Sequence, residues 1–185
     1  MAQAPGWPGL GDEELLIAVA NTAHGDQDEF TNASTMSDWW SGLDAPVVAL
    51  RSESASDESV AALRTMRGLI RGLALHNNGI EPAPVEFADL EAVPLRLDLR
   101  GTPTLIADPP GDLARDICAA ASAALLRATA RPGWPRVKAC RGDDCRWVFL
   151  DRSRNSSRRW CDMTNCGNRA KIAAFRDRHR ATGND

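Results

Sequence analysis

Apolar residues recur at three- and four-residue intervals in two long segments, which predicts two amphipathic helices. The first segment, 56–77, has Ser56 as a suitable N-cap and is followed by Asn-Gly, while the second, 112–129, is rich in alanine. A shorter helix is predicted over 37–43, with Ser37 as its N-cap and one of its two tryptophans turned inward. Local signals therefore predict the helical part of the fold.

Two other parts of the chain have patterns that favour β-structure. The run 14–21 is short and apolar and is followed by a turn-like sequence, so we predict a buried strand there. Residues 95–99 alternate between apolar and polar, as a half-buried strand does, and 104–107 can return beside them as a hairpin. Helices and short strands together predict an α+β fold.

The formal net charge of −3 conceals two parts of opposite sign. Residues 1–130 carry eight Arg and no Lys against 19 Asp and Glu, a net charge of −11. Residues 131–185 carry 14 Arg and Lys against six Asp, a net charge of +8. A Pro- and Gly-containing run begins where the sign changes, so we place a domain boundary at about residue 131. The basic part is expected to face a polyanion, which the acidic part would repel.

Composition places the chain among folded globular proteins. It has 185 residues, of which 43% are hydrophobic and 25% charged, and this excludes a wholly disordered chain. No run approaches the roughly 18 apolar residues of a membrane span. The first residues have neither the basic nor the apolar region of a signal peptide. We therefore expect a cytoplasmic protein without membrane contact, whose thiols stay reduced.

Four of the five cysteines form two pairs of equal spacing, Cys140-x4-Cys145 and Cys161-x4-Cys166. Two such pairs can offer four thiolates to one tetrahedral ion, and Zn²⁺ is the usual ion in such sites. Two disulfides or an iron–sulfur cluster would use the same residues, although a reducing compartment disfavours the disulfides. The fifth, Cys118, lies on the apolar stripe of the alanine-rich helix, so we expect a buried core thiol.

The segment 140–171 reads CRGDDCRWVFLDRSRNSSRRWCDMTNCGNRAK. It resembles the CGNR zinc finger, whose name-giving motif stands here as Cys166-Gly167-Asn168-Arg169. Through the segment Ala20-Asn-Thr-Ala-His24 and the strand pair at 95–108, residues 1–130 resemble, more weakly, the domain that usually precedes this finger in bacterial proteins described as stress-induced transcription regulators. The resemblance implies a mixed helix and short-strand domain, a four-cysteine module with one Zn²⁺ and a C-terminal helix, and DNA binding.

Two basic segments adjoin the second cysteine pair. The loop between the pairs interleaves arginine with serine and asparagine, which suits phosphate contact. The segment after the last cysteine is predicted to be a helix capped by Thr164 or Asn165, with Ile172 and Phe175 on a packed face between basic rows. The alternative is that these cations balance the −2 charge of a Zn²⁺ ion with four thiolates. The candidate nucleic-acid contacts are Arg152, Arg154, Arg158, Arg159, Arg169, Lys171, Arg176 and Arg180.

Other residues near the cysteines have expected structural roles. Gly167 permits a backbone angle that other residues avoid. Asn168 and Arg169 can bond backbone or sulfur acceptors close to the metal, a role that competes with reading bases. Three aromatic residues flank the ligands and are expected to form the small core of the module: Trp147, Phe149 and Trp160.

The acidic part offers one candidate ligand site. Asn21, Thr22 and His24 are polar groups at the end of an apolar run, where a small-molecule effector could bind. The chain has none of the phosphate-loop, GxSxG or HExxH motifs, so we expect no enzyme activity. The leading prediction is a DNA-binding transcription regulator whose first domain is a sensor or a homodimerisation unit. The alternatives are a protein- or RNA-binding finger and a zinc-supported enzyme with its site in the first domain.

Overall fold

A computed structural model describes residues 11–43, 54–84, 88–91 and 93–182. The helices are α1 (Asp12–Ala20), α2 (Ala33–Ser41), α3 (Asp57–Asn77), α4 (Ala88–Glu91), α5 (Leu113–Thr129) and α6 (Asn168–Thr182). The strands are β1 (Ala23–His24), β2 (Gln27–Asp28), β3 (Leu95–Asp98), β4 (Thr104–Ala107), β5 (Val137–Ala139) and β6 (Val148–Leu150). A 3-10 turn, Trp134–Arg136, precedes β5, and a π turn, Met163–Gly167, precedes α6. The α+β prediction is confirmed.

Three helices, α1, α3 and α5, form the hydrophobic core by packing against one another. Leu16, Leu63, Ile70 and Ile117 are fully buried there, and each such side chain contributes about 1.5–3 kcal/mol of burial free energy. Cys118 is also buried in this core, as predicted. Among the described residues, no helix is both long and apolar enough to cross a membrane.

The two long helices begin where the sequence predicts, and a side chain caps each N-terminus. Ser56 accepts a hydrogen bond from the Ser59 N–H at the start of α3, and Asp112 accepts one from the Arg115 N–H at the start of α5. The Asp112 carboxylate also accepts bonds from the Ser56 N–H and the Ser59 hydroxyl, at 3.0 and 2.8 Å. The two helix N-termini are therefore joined through one carboxylate.

The prediction of a strand at 14–21 is wrong, because this run belongs to helix α1. Its first turn is acidic, which suits a helix N-terminus, and the Glu14 carboxylate accepts a hydrogen bond from the Gly11 N–H at 3.0 Å. Leu16 and Val19 are fully buried where α1 packs against α3 and α5. The run is apolar at nearly every position, so its periodicity could not separate a strand from a buried helix.

The helix predicted at 37–43 begins earlier, at Ala33. Its N-cap is Asn32 rather than Ser37, and the Asn32 side chain accepts a hydrogen bond from the Thr35 N–H at 3.1 Å. Asparagine caps a helix as well as serine does, so both positions carried a valid signal. Trp40 is the inward tryptophan, with 5% of its surface exposed.

The hairpin predicted from the alternating segment is confirmed. Strands β3 and β4 pair antiparallel, with Leu95 opposite Ala107 and Asp98 opposite Thr104. The expectation that β3 is half-buried is wrong, since Leu95 and Leu97 are exposed while β4 packs against α5.

The β5–β6 hairpin shares the core of the preceding helices. Val137, Ala139 and Val148 are fully buried in the same cluster as α3. The Asn21 side chain donates to the Val148 carbonyl and accepts from the Val148 N–H, both at 2.8 Å. Asn78 donates to the Ala139 carbonyl at 2.7 Å. The boundary at residue 131 stays a prediction, and these contacts are among those that cross it.

Candidate functional site

The four paired cysteines converge on one point. The sulfur atoms of Cys140, Cys145, Cys161 and Cys166 all lie within 4.8 Å of one another. The Cys145–Cys161 and Cys161–Cys166 sulfur distances are 3.5 and 3.8 Å. A tetrahedron with Zn–S bonds of about 2.3 Å has S···S edges of about 3.8 Å, so the thiols fit one Zn²⁺ ion. None of them forms a disulfide.

The first cysteine pair lies between the strands of the β5–β6 hairpin. Cys140 directly follows β5, and its sulfur accepts a hydrogen bond from the Gly142 N–H at 3.4 Å. A Cβ atom at Gly142 would lie 3.2 Å from the Cβ of Cys145, so a larger residue would crowd the turn. Arg146 then adopts a left-handed backbone angle, with φ of 54°, and leads into β6.

The second pair is positioned by the π turn before α6. Its N-cap is Asp162, whose carboxylate accepts a hydrogen bond from the Thr164 N–H at 2.8 Å, rather than the predicted Thr164 or Asn165. Gly167 also differs from expectation, because its backbone angle is ordinary. A Cβ atom at position 167 would approach the Met163 sulfur to 2.8 Å, so the glycine leaves room for the Met163 side chain.

Arg169 acts on the thiol cluster directly. Its guanidinium donates a hydrogen bond to the Cys166 sulfur at 3.3 Å. Burial raises the pKa of Cys166, but this bond and those with the other thiols outweigh burial and lower it. In Cys161 and Cys145, by contrast, burial raises the pKa. Asn168 instead donates to the Thr164 carbonyl, at 3.0 Å, and secures the π turn.

A buried ion pair holds the loop between the cysteine pairs. The Lys138 ammonium on β5 lies 2.7 Å from the Asp151 carboxylate, just after β6. Lys138 also donates to the Ser156 carbonyl at 2.5 Å. Asp151 accepts bonds from the Ser153 hydroxyl and the Arg158 N–H, at 2.6 and 2.9 Å. These bonds fix the path of the arginine-rich loop.

Two of the candidate nucleic-acid contacts are engaged within the protein. Arg158 donates to the carbonyls of Trp160 and Cys161, and its guanidinium lies 4.7 Å from the centre of the Phe149 ring. Arg169 bonds the metal-site sulfur. Both side chains therefore have a structural role close to the thiols.

Other candidates point into solvent. Arg152 and Arg154 are exposed and make no hydrogen bond or ion pair with any residue that the structure describes. Arg159 is exposed as well. Burial and the nearby Arg159 charge lower the pKa of Arg141, so two like charges lie close together.

Helix α6 does not have the packed face expected of it. Ile172 and Phe175 are 52% and 55% exposed, because α6 packs mainly against the π turn at its own start. Phe175 stacks edge-on with His179 one turn later, with 4.1 Å between ring centres. Lys171 and Arg176 are exposed, and the side chain of Arg180 lies outside the described part of the chain.

The three aromatic residues near the cysteines differ in how deeply they are buried. Phe149 is buried against the thiols and Trp160 is partly buried there, as a small core requires. Trp147 is 37% exposed and meets the His24 ring edge-on, with 5.3 Å between ring centres. Both rings line a groove beside the thiols.

The polar residues proposed as a ligand site have different surroundings. Asn21 is engaged with β6. Thr22 is buried, donates to the Val19 carbonyl at 2.8 Å and accepts from Arg67 at 3.3 Å. His24 alone is exposed, in the groove beside the thiols.

Sequence reasoning missed Lys138 and Asn78. Lys138 lies between the apolar residues Val137 and Ala139, in a chain with only two lysines, and this placement was a usable signal of a buried partner. Asn78 belongs to the predicted helix end, yet its amide also donates to the Arg159 carbonyl, at 2.9 Å. No local pattern indicates a contact between residues so far apart in the sequence.

Comparison with known proteins assigns the C-terminal part of the chain. A search of curated proteins finds no match. The family model of the CGNR zinc finger matches residues 136–179, which include all four thiols, the buried ion pair and most of α6. This segment of the chain is therefore a CGNR zinc finger, and its four cysteines form the site for one Zn²⁺ ion.

Proposed function

We propose that the zinc finger binds duplex DNA through its phosphates and that the protein is a transcription regulator of the cytoplasm. The observation that carries this proposal is the state of Arg152 and Arg154. Both are exposed and have no partner among the described residues, on a loop whose backbone is held by a buried ion pair. Free guanidiniums on a fixed loop form a ready phosphate-binding surface.

Charge balance at the metal does not account for these arginines. Arg169 bonds a thiol, and Arg158 bonds the backbone beside another. The −2 charge of the metal site therefore already has two cations close to it. An anion such as phosphate would reduce the repulsion among the remaining positive charges, which include the neighbouring Arg141 and Arg159.

Helix α6 adds a second surface of the same kind. Lys171 and Arg176 are exposed on it, beside the exposed Ile172 and Phe175. A helix in the major groove can use cations for phosphates and apolar side chains for thymine methyl groups. The acidic residues 1–130 would repel DNA, so we assign them a sensor or dimerisation role.

Salt dependence of binding tests the proposal. The full-length, zinc-loaded protein should bind a labelled DNA duplex, measured by fluorescence anisotropy at a series of salt concentrations. Each phosphate contact contributes about −0.9 to the slope of log affinity against log salt. The double variant Arg152→Ala with Arg154→Ala should flatten that slope by up to about two units at unchanged zinc content.

Arg131→Ala is the control. It removes a cation that lies before the matched finger and already pairs with Asp12 and Glu13, at 2.7 and 3.3 Å, so it should leave the slope unchanged. Equal effects of the control and the loop variant, or no binding by the wild type, would contradict the proposal. Tighter binding of single-stranded RNA than of duplex DNA would favour the RNA-binding alternative.

A further inference from the structure

Strand β3 has an open edge. The register of the hairpin and the bond from the Asp108 N–H to the Pro94 carbonyl, at 3.0 Å, show that residues 94, 96 and 98 direct their backbone groups toward β4. The backbone N–H and C=O groups of Leu95, Leu97 and Leu99 therefore point the other way. No residue that the structure describes forms a backbone hydrogen bond with them.

The same three leucines are exposed. Leu95, Leu97 and Leu99 have 39%, 56% and 68% of their surface accessible, and they share one face of the strand. An uncovered edge with large apolar side chains readily pairs with another chain, so proteins usually protect such edges. Here the positions between the leucines carry charges of opposite sign, Arg96 and Asp98.

We propose that β3 pairs antiparallel with β3 of a second copy of this chain, around a two-fold axis at Leu97. This register sets Leu97 opposite its own copy and Leu95 opposite Leu99 of the second copy. All three of these positions have outward backbone groups, so each forms a hydrogen-bonded pair. The two hairpins become one four-stranded sheet with six leucines on one face.

The charges select this register over its neighbours. Centred at Leu97, the pairing sets Arg96 of each copy opposite Asp98 of the other, at the non-hydrogen-bonded positions where side chains lie closest. Moving the axis to residue 96 sets Arg96 opposite Arg96, and moving it to residue 98 sets Asp98 opposite Asp98. Like charges at these positions are destabilising, so the strand is complementary to itself in one register.

The existing partners of these charges are compatible with the pairing. Asp98 accepts two hydrogen bonds from the exposed Arg100 side chain, at 2.9 and 2.8 Å, and Arg96 lies 3.8 Å from Asp108. In each copy, pairing brings the Arg96 guanidinium of the other copy to the Asp98 carboxylate and the Asp98 carboxylate of the other copy to the Arg96 guanidinium. The result is an alternating network of charges along the new junction.

The oligomeric state of the full-length, zinc-loaded protein tests this proposal by sedimentation velocity. We expect a dimer for the wild type and a monomer for Leu97→Lys, which sets two ammonium groups against each other at the axis. Leu126→Lys is the matched control, because Leu126 is an equally exposed leucine on α5, and it should remain a dimer. A monomeric wild type, or a dimeric Leu97→Lys variant, would overturn the proposal.

A pair of charge variants tests the register. Arg96→Glu and Asp98→Arg should each be monomeric, because each sets like charges opposite each other. Mixed in equal amounts, they should form a heterodimer, since Glu then faces Arg and Asp98 faces Arg96. The zinc content and melting temperature of each variant check that it is folded. A mixture that stays monomeric would overturn the proposed register.

Discussion

Lys138 and Asp151 form an ion pair 2.7 Å apart, and both side chains are buried. Lys138 lies on β5, and Asp151 directly follows the opposite strand β6. Both side chains also form hydrogen bonds with the loop that carries Arg152 and Arg154. The pair thus connects the shared hydrophobic core to the proposed DNA-binding surface.

Breaking this ion pair should be strongly destabilising. Asp151→Ala leaves the Lys138 ammonium buried without its carboxylate, which typically costs about 3–5 kcal/mol. The measurement is urea unfolding of the zinc-loaded protein. The control is Glu81→Ala, which removes an exposed carboxylate 3.7 Å from His76 and should change the free energy of unfolding little. If both variants lose the same free energy of unfolding, the burial of the Lys138–Asp151 pair does not determine its contribution to stability.

The same carboxyl group should make the protein acid-sensitive. Burial raises the pKa of Asp151, but its bonds with Lys138, Ser153 and the Arg158 N–H outweigh burial and hold it below its usual range. Its contribution to stability is therefore complete above the unfolded pKa, about 4, and is lost as the pH falls below that value. The stability difference between wild type and Asp151→Asn should shrink below about pH 4. A difference that does not change with pH would contradict this.

Among the five cysteines, only the four of the finger should determine the zinc content. Cys161→Ser should contain almost no zinc, because three thiolates and a hydroxyl hold the ion poorly. The helices α1, α3 and α5 form their core without the metal, so most of the helical circular dichroism signal should persist. Cys118→Ala is the control and should retain one zinc ion per chain by elemental analysis. Iron in the wild-type protein would contradict the assignment.

Cys118 should be chemically silent in the native protein. Burial, with a smaller effect of the Asp112 charge, raises the pKa of its thiol to about 12, so the reactive thiolate is scarce at neutral pH. After a chelator removes the metal, iodoacetamide should label the four finger cysteines and spare Cys118, as read by peptide mass spectrometry. Labelling of all five should require denaturant. Rapid native labelling of Cys118 would show that the core opens.

Arg169 should contribute to zinc retention. Its bond to the Cys166 sulfur orients and stabilises a metal ligand, and losing such a contact typically weakens metal affinity by about 10- to 100-fold. Competition with a chromophoric chelator should show this loss in Arg169→Ala. Lys171→Ala, two residues later on the same helix, is the control and should retain wild-type affinity. Similar affinities for the two variants would mean that the bond is unimportant.

The sequence by itself determined the features that depend on neighbouring residues. The Ser56 cap and the regular apolar spacing located α3, and the apolar spacing alone located α5. The equal spacing of two cysteine pairs located the metal site, because four thiolates on a short chain have few other uses. These signals are local, so they can be recognised before any tertiary contact is known.

Only the tertiary structure decided the features that depend on distant residues. The run at 14–21 became a helix because two other helices bury it, and Ile172 and Phe175 stayed exposed because nothing in the described chain covers them. Among the arginines, Arg158 and Arg169 acquired partners, while Arg152 and Arg154 have none among the residues that the structure describes. All these residues have ordinary local patterns. Their surroundings follow from long-range packing, which a single sequence does not display.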